Sequence, residues 1–319
     1  MANWPSRSAD VLEPAVIVLR LMQYMGAMVL MGSSLFFVYA LPGVGAGSAA
    51  ETPWARKLLA AGGALLAVAA ALSVPGQASV LTGSLAEGLK PETLSAVVTG
   101  MDLGKAAVLR AVLAALAGVL VLVLKPSRTS WALTVALGAL ATASFAWMGH
   151  GAASEGPSAP LHLVSDILHS WAAAVWVGAL VAFLLLLRVP RPTPEATASL
   201  HRALHGFSGL GTVLVALLVA TGAINSWFLV GLGHLSGLWT TPYGRLLSLK
   251  LLLFVVMLGL AAANRFQLTP ALARGLGSSD DEHTALASLR RSVLIETCVG
   301  LAVLALVAWF GTLAPPASM

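Results

Sequence analysis

Charged residues are scarce in this chain of 319 residues: Asp, Glu, Lys and Arg make up 10% of it, whereas hydrophobic residues make up 58%. A soluble domain usually carries about 25% charged residues, so most of this chain cannot face water. The scarcity excludes an ordinary soluble enzyme, a disordered protein and a nucleic-acid-binding protein, although the net charge is +5. In a membrane protein, such an excess of Lys and Arg belongs to the loops and sets the orientation.

Cysteine is almost absent, since Cys298 is the single one in the chain. This excludes a disulfide framework and any metal site built from several cysteines. The sequence also lacks a glycine-rich phosphate loop, a Gly-x-Ser-x-Gly elbow and a His-Glu-x-x-His motif. We therefore expect neither an enzyme nor a pump that hydrolyses its own nucleotide.

Long apolar stretches dominate the sequence, and eight of them reach the roughly 17–25 residues that a membrane-spanning helix needs. They are residues 15–40, 58–82, 104–124, 131–148, 161–187, 203–231, 246–264 and 290–314. Backbone polar groups must be satisfied within each segment in lipid, so the spans are helices. The predicted fold class is an all-α polytopic membrane protein with eight transmembrane helices.

Lys and Arg are distributed unevenly between the two sides of this layout. Of the 18, eleven lie in the loops after helices one, three, five and seven, four lie on the opposite side, and three lie inside spans. Cytoplasmic loops carry the excess of these residues. The count therefore places both termini on the periplasmic side of a bacterial inner membrane.

A weak internal repeat accompanies this layout. Gly104-Lys105 followed by Arg110 opens the third span, and Gly244-Arg245 followed by Lys250 opens the seventh with the same spacing. The repeat predicts two diverged four-helix halves that share one orientation. The alternative is a coincidence between two short basic motifs.

The richest polar group opens the fifth span. Spacings of four and three residues place His162, Asp166 and His169 on one helical face, and Met148 and His150 end the preceding span at the same membrane surface. Imidazole, thioether and carboxylate groups are all copper ligands. We therefore predict an outward-facing copper site formed by His150, His162 and His169 with Asp166 or Met148. Alternatively, the histidines are solvated interfacial residues and Asp166 neutralises Arg20, at similar depth in the first span.

Methionines wind down the first span and form a possible metal path: Met22, Met25 and Met28. Their thioethers either pass copper(I) inward or simply fill gaps in an apolar core.

Other polar residues within or beside the spans are candidates because such residues are costly in lipid: Arg20, Asn225, Arg245, Lys250 and Glu296. Asn225 either bonds two helices together or lines a path. The basic motifs either pair with carboxylates such as Asp102, Glu155 or Asp166, or hold an anionic group of a ligand.

An ordered set of motifs resembles the CopD/PcoD family of copper-resistance inner-membrane proteins. The set comprises Gly149-His150, His162-Leu163-x-x-Asp166-x-x-His169, Trp176-Val177-Gly178, Thr221-Gly222-x-x-Asn225-x-Trp227, Thr241-Pro242-Tyr243-Gly244-Arg245, Lys250, Asn264-Arg265-Phe266-x-Leu268-Thr269-Pro270, Arg290-Arg291-Ser292, Glu296 and Gly311-Thr312-Leu313. These motifs lie in residues 131–319 (spans four to eight), which we treat as the second half of one membrane unit. Residues 1–130 (spans one to three) form the first half.

The resemblance implies an inner-membrane protein that moves copper from the periplasm toward the cytoplasm, often beside the small periplasmic copper binder CopC. No part of this sequence resembles such a soluble β domain, so a CopC-like partner would be a separate chain. The motifs place His150, His162, Asp166 and His169 in the stretch already chosen from spacing.

Two other functions remain open at this point. A b-type cytochrome would hold haem between axial ligands in a helical bundle, with the outer basic residues binding the propionates. A purely structural membrane subunit would use its polar residues only to pack helices. The preferred hypothesis is copper transport, with a copper ion of undetermined oxidation state and the lipid bilayer as surroundings.

Overall fold

A computed structural model describes residues 7–40, 53–149, 152, 154, 156–188, 194–275 and 279–318, and these contain helices but no strand. The α-helices are α1 (Arg7–Ala27), α2 (Ser34–Ala40), α3 (Pro53–Thr82), α4 (Leu85–Gly88), α5 (Pro91–Gly100), α6 (Asp102–Val123), α7 (Arg128–Ala143), α8 (Ala159–Leu186), α9 (Pro194–Leu229), α10 (Gly237–Thr240), α11 (Pro242–Ala263), α12 (Thr269–Gly275) and α13 (Ser279–Phe310). Two π-helical segments, Met28–Ser33 and Asn264–Leu268, continue α1 and α11, and short 3-10 turns lie at Ser144–Trp147, Leu232–His234 and Pro316–Ser318.

Eight helical stretches in the described residues are long and apolar enough to cross a membrane, which confirms the predicted number. They are Leu12–Tyr39, Trp54–Thr82, Asp102–Val123, Arg128–Trp147, Ala159–Leu186, Gly206–Leu229, Pro242–Gly275 and Asp280–Phe310. The eighth helix begins earlier than the predicted residue 290 because its first turn carries the acidic residues Asp280, Asp281 and Glu282. Acidic side chains stabilise the positive end of a helix dipole.

Local capping signals set several of the other boundaries. Ser127 caps the start of α7, and its hydroxyl accepts a hydrogen bond from the backbone N–H of Ser130 at 3.1 Å. Thr241 likewise caps α11 by accepting from the N–H of Gly244 at 3.0 Å, with Pro242 in the first helical position. Hydroxyl caps and an initial proline are favourable at helix starts because they accommodate N–H groups that the helix leaves unpaired.

The helices pack into two groups. In the first, α3 lies between α1 and α6, and α7 packs on α6. In the second, α8 packs on α9 and α13, and α11 packs on α13. The groups meet where the π-helical segment Met28–Ser33 packs on α8 and where α1 contacts α13.

The contact between the two groups is unusually close because two glycines face each other there. A Cβ on Gly32 would lie 1.9 Å from the carbonyl oxygen of Ala174, and a Cβ on Gly178 would lie 2.4 Å from that of Met28. The Ser33 hydroxyl donates to the carbonyl of Gly178 at 2.8 Å. Small residues of this kind let membrane helices approach at the backbone. The contact places the π-helical segment, a feature common at functional sites, directly against α8.

The sixth and seventh spans contact little other protein. Only 17% of the most apolar part of the sixth and 11% of that of the seventh is buried within the protein, against 39–56% for the other spans. Because α9 packs mainly on α8 and α11 mainly on α13, the remaining surfaces of these helices face lipid.

Candidate functional site

A cavity of about 440 Å³ lies between α1, α8, α9, α11 and α13, near the last residue of α13, Phe310. We call it the histidine cavity. Its lining includes the ionisable side chains Arg20, His162, Asp166, His169 and Lys250. The structure therefore brings together three of the residues predicted as metal ligands with two of the basic candidates.

His169 is held in one tautomer by its neighbour on α9. The Thr221 hydroxyl donates its proton to the carbonyl of Leu217 at 2.6 Å, and Thr221 Oγ1 also lies 2.9 Å from His169 Nδ1. A hydroxyl has a single proton, so the ring N–H at Nδ1 must be the donor in this second bond. His169 Nε2 therefore keeps its lone pair, as a metal-binding imidazole requires.

His162 lies in the first turn of α8 and is almost fully buried, with 1% of its surface exposed. Its Nδ1 lies 2.6 Å from the hydroxyl oxygen of Ser154. The ring stacks on Phe228 of α9 with 4.5 Å between centroids and 5° between planes. Both histidines of α8 are thus oriented by side chains that the spacing argument did not identify.

Asp166 lies between the two histidines in the sequence of α8, and it accepts a hydrogen bond from α9. Asn225 Nδ2 donates to Asp166 Oδ1 at 3.5 Å, and Asn225 Oδ1 is buried without a hydrogen-bond partner among the described residues. Asn225 also lines the cavity, so it both bonds two helices and contributes to the wall.

The proposed pairing of Asp166 with Arg20 is not seen. The ion pairs within 4.0 Å in the described part of the chain are Lys90 with Glu87 and Lys105 with Asp102. Arg20 instead donates through Nη2 to the carbonyl oxygen of Met148.

Met148 and the methionines of α1 are placed differently from the cavity histidines. The sulfur of Met148 lies 3.6 Å from Arg110 Nη1 and accepts its hydrogen bond, and Met148 is not among the residues that line the histidine cavity. Of Met22, Met25 and Met28, it is Met28 that lines the histidine cavity. His150 lies outside the described residues.

Arg110, which donates to the sulfur of Met148, is buried among polar atoms of the first group of helices. The side chain is 1% exposed, donates to Gln23 Oε1 at 2.6 Å and to the carbonyl of Ser144 at 2.8 Å, and lies 4.5 Å above the ring of Phe145. Its bonds tie α6 to α1 and to the end of α7. The guanidinium therefore has a packing role within the first group of helices.

A second cavity of about 530 Å³ lies at the opposite end of α8, α9, α11 and α13. We call it the glutamate cavity, after Glu296, which is 2% exposed. Trp176 Nε1 donates to Glu296 Oε1 and Asn264 Nδ2 donates to Glu296 Oε2, both at 2.8 Å. Asn264 Oδ1 is buried without a hydrogen-bond partner among the residues that the structure describes.

Trp176 lines both cavities. Together with Glu296 and Asn264 it forms a layer between them, which we call the partition. The partition joins α8, α13 and the π-helical segment after α11 through two hydrogen bonds to one carboxyl group. Sequence reasoning singled out Glu296 as a polar candidate, whereas Trp176 and Asn264 appeared only within the family motifs and were given no role.

The basic residues of the two repeat motifs lie in different surroundings. Lys105 is exposed and paired with Asp102 at 3.0 Å, as one of the predicted alternatives had it, and Arg245 is exposed and donates to the carbonyl of Trp239 at 2.8 Å. Lys250 faces the histidine cavity, with Nζ 5.8 Å from the ring centroid of Phe310. Lys250 therefore belongs to the site, whereas Lys105 and Arg245 lie at the surface.

No group of three or more His, Cys, Asp or Glu side chains is placed to hold a metal ion within the described residues. His162, Asp166 and His169 share one cavity, yet they do not form a complete coordination sphere by themselves. Imidazole nitrogen and carboxylate oxygen remain donors that copper accepts.

Comparison with known proteins places similarity along nearly the whole chain. The family model of copper resistance protein D matches residues 201–310, and that of the copper resistance protein D-like N-terminal domain matches residues 11–160. Copper resistance protein D of Pseudomonas syringae pv. tomato is 38% identical over 313 residues, covering 95% of this chain and 97% of that protein. No solved structure matches.

Two further relatives are similar over about half of this chain. The inner membrane protein YebZ of Escherichia coli (strain K12) is 30% identical over 55% of this chain and 58% of its own length. The copper transport protein CutJ of Bacillus subtilis (strain 168) is 30% identical over 54% of this chain and 28% of its own length.

Proposed function

Because this chain belongs to the copper resistance protein D family, we propose that it carries copper across the inner membrane from the periplasm toward the cytoplasm. It is a multi-pass inner-membrane protein with eight apolar helices. The observation that supports transport is the stacking of two cavities on the two sides of one thin partition, with Trp176 in the wall of both.

Copper enters at the histidine cavity in this proposal. His169 offers Nε2, because its Nδ1–H is bonded to Thr221, and His162 and Asp166 line the same cavity from the preceding turns of α8. Met28 lines the same cavity from the π-helical segment after α1 and supplies a thioether suited to copper(I). His150 remains a predicted ligand outside the described residues.

The ion then passes the partition. The indole of Trp176 and the amide of Asn264 both donate to the carboxyl group of Glu296, so this layer closes when both bonds are made. Moving the indole aside frees Glu296 Oε1, and Asn264 Oδ1 already lacks a hydrogen-bond partner among the described residues. Two oxygen atoms then face a cation that leaves the histidine cavity.

The orientation and the internal repeat complete the proposal. The Lys and Arg count favours periplasmic termini, which puts the histidine cavity on the periplasmic side. Gly104 and Gly244 support two related halves, since each is the third residue of its helix and each packs against the helix before it. A Cβ added at Gly104 would lie 2.1 Å from the Val97 carbonyl oxygen, and one added at Gly244 would lie 2.0 Å from the Gly237 carbonyl oxygen. The division into residues 1–130 and 131–319 stays a prediction.

Transport rather than catalysis, and delivery of copper by a separate CopC-like periplasmic chain, are parts of the same proposal. The b-type haem alternative is not supported. It needs a second axial ligand on another helix opposite His169, and both histidines that line the cavity belong to α8; His150, the other histidine considered for this role, lies outside the described residues.

The test is copper uptake into proteoliposomes together with the copper content of the purified protein. The variant with His162→Ala and His169→Ala should lose bound copper and uptake. His234→Ala is the matched control, because His234 is exposed and lies outside the lining of the histidine cavity. Undiminished uptake in the double variant would refute copper passage through this cavity. Protease protection of a tag at either terminus tests the orientation.

A further inference from the structure

The histidine cavity is much larger than a bare metal ion requires. Its volume of about 440 Å³ lies within the range of roughly 300–1,000 Å³ that is typical of small-molecule sites. Much of the lining is apolar or aromatic, including Phe254, Leu304 and Phe310. Such walls do not coordinate a metal and instead suit the body of an organic ligand.

The charge of the lining is also unsuited to a bare cation. Arg20 and Lys250 contribute two positive groups, whereas Asp166 is the single Asp or Glu among the lining residues. Arg20 is 6% exposed, and none of the three forms an ion pair within 4.0 Å in the described part of the chain. A copper ion would add further positive charge where the low dielectric strengthens repulsion.

The donors among the described residues leave the metal incompletely coordinated. The described residues offer no group of three His, Cys, Asp or Glu side chains arranged around one point. A ligand that arrives with the metal would supply the missing donors. The excess volume, the excess positive charge and the missing donors all favour an anionic organic ligand that enters together with the metal.

We propose that copper enters the histidine cavity as a complex with a small organic acid, whose carboxylates bind Arg20 and Lys250 while His169 coordinates the metal. This inference rests on the proposed function and specifies the form of its substrate. Entry is a ligand exchange in which the imidazole Nε2 of His169 replaces one water on the metal, and the oxidation state of copper does not change. The guanidinium and ammonium groups give charge-assisted hydrogen bonds to carboxylate oxygens.

Copper(II) citrate is the probe, since its carboxylates leave the complex negatively charged. The purified full-length protein is dialysed against this complex with radiolabelled citrate, and separately against copper(II) held by the neutral chelator ethylenediamine. We expect copper and citrate to be retained in equal amounts from the first solution. Lys250→Met should weaken retention of the citrate complex by about tenfold or more, the scale of a lost charged hydrogen bond.

The second solution reverses the expected effect of the same variant. Copper presented as a cationic complex should bind Lys250→Met as well as, or better than, the unmodified protein, because one repelling charge is gone. Lys250→Arg should keep the binding of copper citrate. Lys105→Met is the control for a lost surface charge and should change neither result, since Lys105 is exposed and paired with Asp102.

Three outcomes would overturn the inference. One is retention of copper without citrate, equal in Lys250→Met and the unmodified protein. A second is retention of neither copper nor citrate from the citrate solution. The third is retention of citrate by the Glu155→Gln variant but not by the unmodified protein. Glu155 lies outside the described residues, and this result would mean that its carboxylate already balances the two cations.

The proposed function fails separately from this inference. It fails if the variant with His162→Ala and His169→Ala binds as much copper as the unmodified protein. Loss of copper in that variant without any co-retained citrate leaves copper transport standing and removes only the organic acid. Thermal unfolding of each variant shows whether it is folded.

Discussion

Gly32→Ala tests whether the backbone contact between the π-helical segment and α8 positions the histidine cavity. The added methyl carbon would lie 1.9 Å from the carbonyl oxygen of Ala174, whereas real Cβ atoms essentially never approach closer than 3.0 Å. The two helices must therefore separate locally by about 1 Å. The obstructing atom belongs to the backbone, so no side-chain rotation relieves the clash.

The expected loss follows from this geometry. Overpacking of a well-packed interior costs about 1–3 kcal/mol, and a clash with backbone belongs at the upper end of that range. We expect the melting temperature to fall by on the order of 5–10 °C. Because Met28 precedes Gly32 by one helical turn and lines the histidine cavity, bound copper should decrease as well.

Thermal unfolding in detergent and the copper content of the purified protein measure the two effects. Gly259→Ala is the matched control, because a Cβ there would meet nothing within 4 Å. If Gly32→Ala melts within about 1 °C of that control and keeps its copper, the spacing of α1 and α8 is not set by this glycine and the reasoning is refuted.

Three further changes test other contacts. Trp176→Phe removes a hydrogen bond to Glu296 and should let copper leak through proteoliposome membranes; an unchanged leak rate would contradict a closing role for the partition. Thr221→Val removes the acceptor for the Nδ1–H of His169 and should weaken copper binding about tenfold, measured by equilibrium dialysis. Thr221→Ser keeps the hydroxyl and should bind copper normally; an equal loss in both variants would argue against this role. Asp102→Asn breaks an exposed ion pair, typically worth about 0–1 kcal/mol, so a fall in melting temperature beyond about 3 °C would contradict that assignment.

The membrane spans and one face of the site were predictable because both depend on local sequence. Length and hydropathy suffice for a helix in lipid, so all eight spans were identified, with errors of boundary only. The common direction of His162, Asp166 and His169 follows from helical periodicity alone. The structure places all three in one cavity wall.

Contacts between distant segments were not predictable from the same patterns. The bond between Trp176 and Glu296 joins residues 120 positions apart, and no periodicity links them. Arg110 and Lys250 occupy equivalent positions in the two repeat motifs, yet Arg110 is enclosed by polar atoms of Gln23 and Ser144 while Lys250 faces a cavity. Spacing determines the helical face, whereas the neighbouring helix determines what that face meets.

The methionines illustrate the same limit. A step of three residues falls short of a full turn of 3.6 residues, so Met22, Met25 and Met28 point in successively different directions. Of these, Met28 reaches the cavity wall. Met148 was expected beside the histidines because of its place in the chain, but its sulfur is engaged by Arg110.

Because the sixth and seventh spans contact little other protein, the surrounding bilayer affects how easily the two cavities open. Both cavities have walls on α9 and α11, and the spans on these helices are only 17% and 11% buried by other protein. Tilting or shifting either helix exchanges lipid neighbours for other lipid neighbours and leaves the tightly packed helices undisturbed. The resistance to cavity opening is then set largely by acyl-chain order and hydrophobic thickness. We expect copper flux to vary with the chain length of the lipids in which the protein is reconstituted.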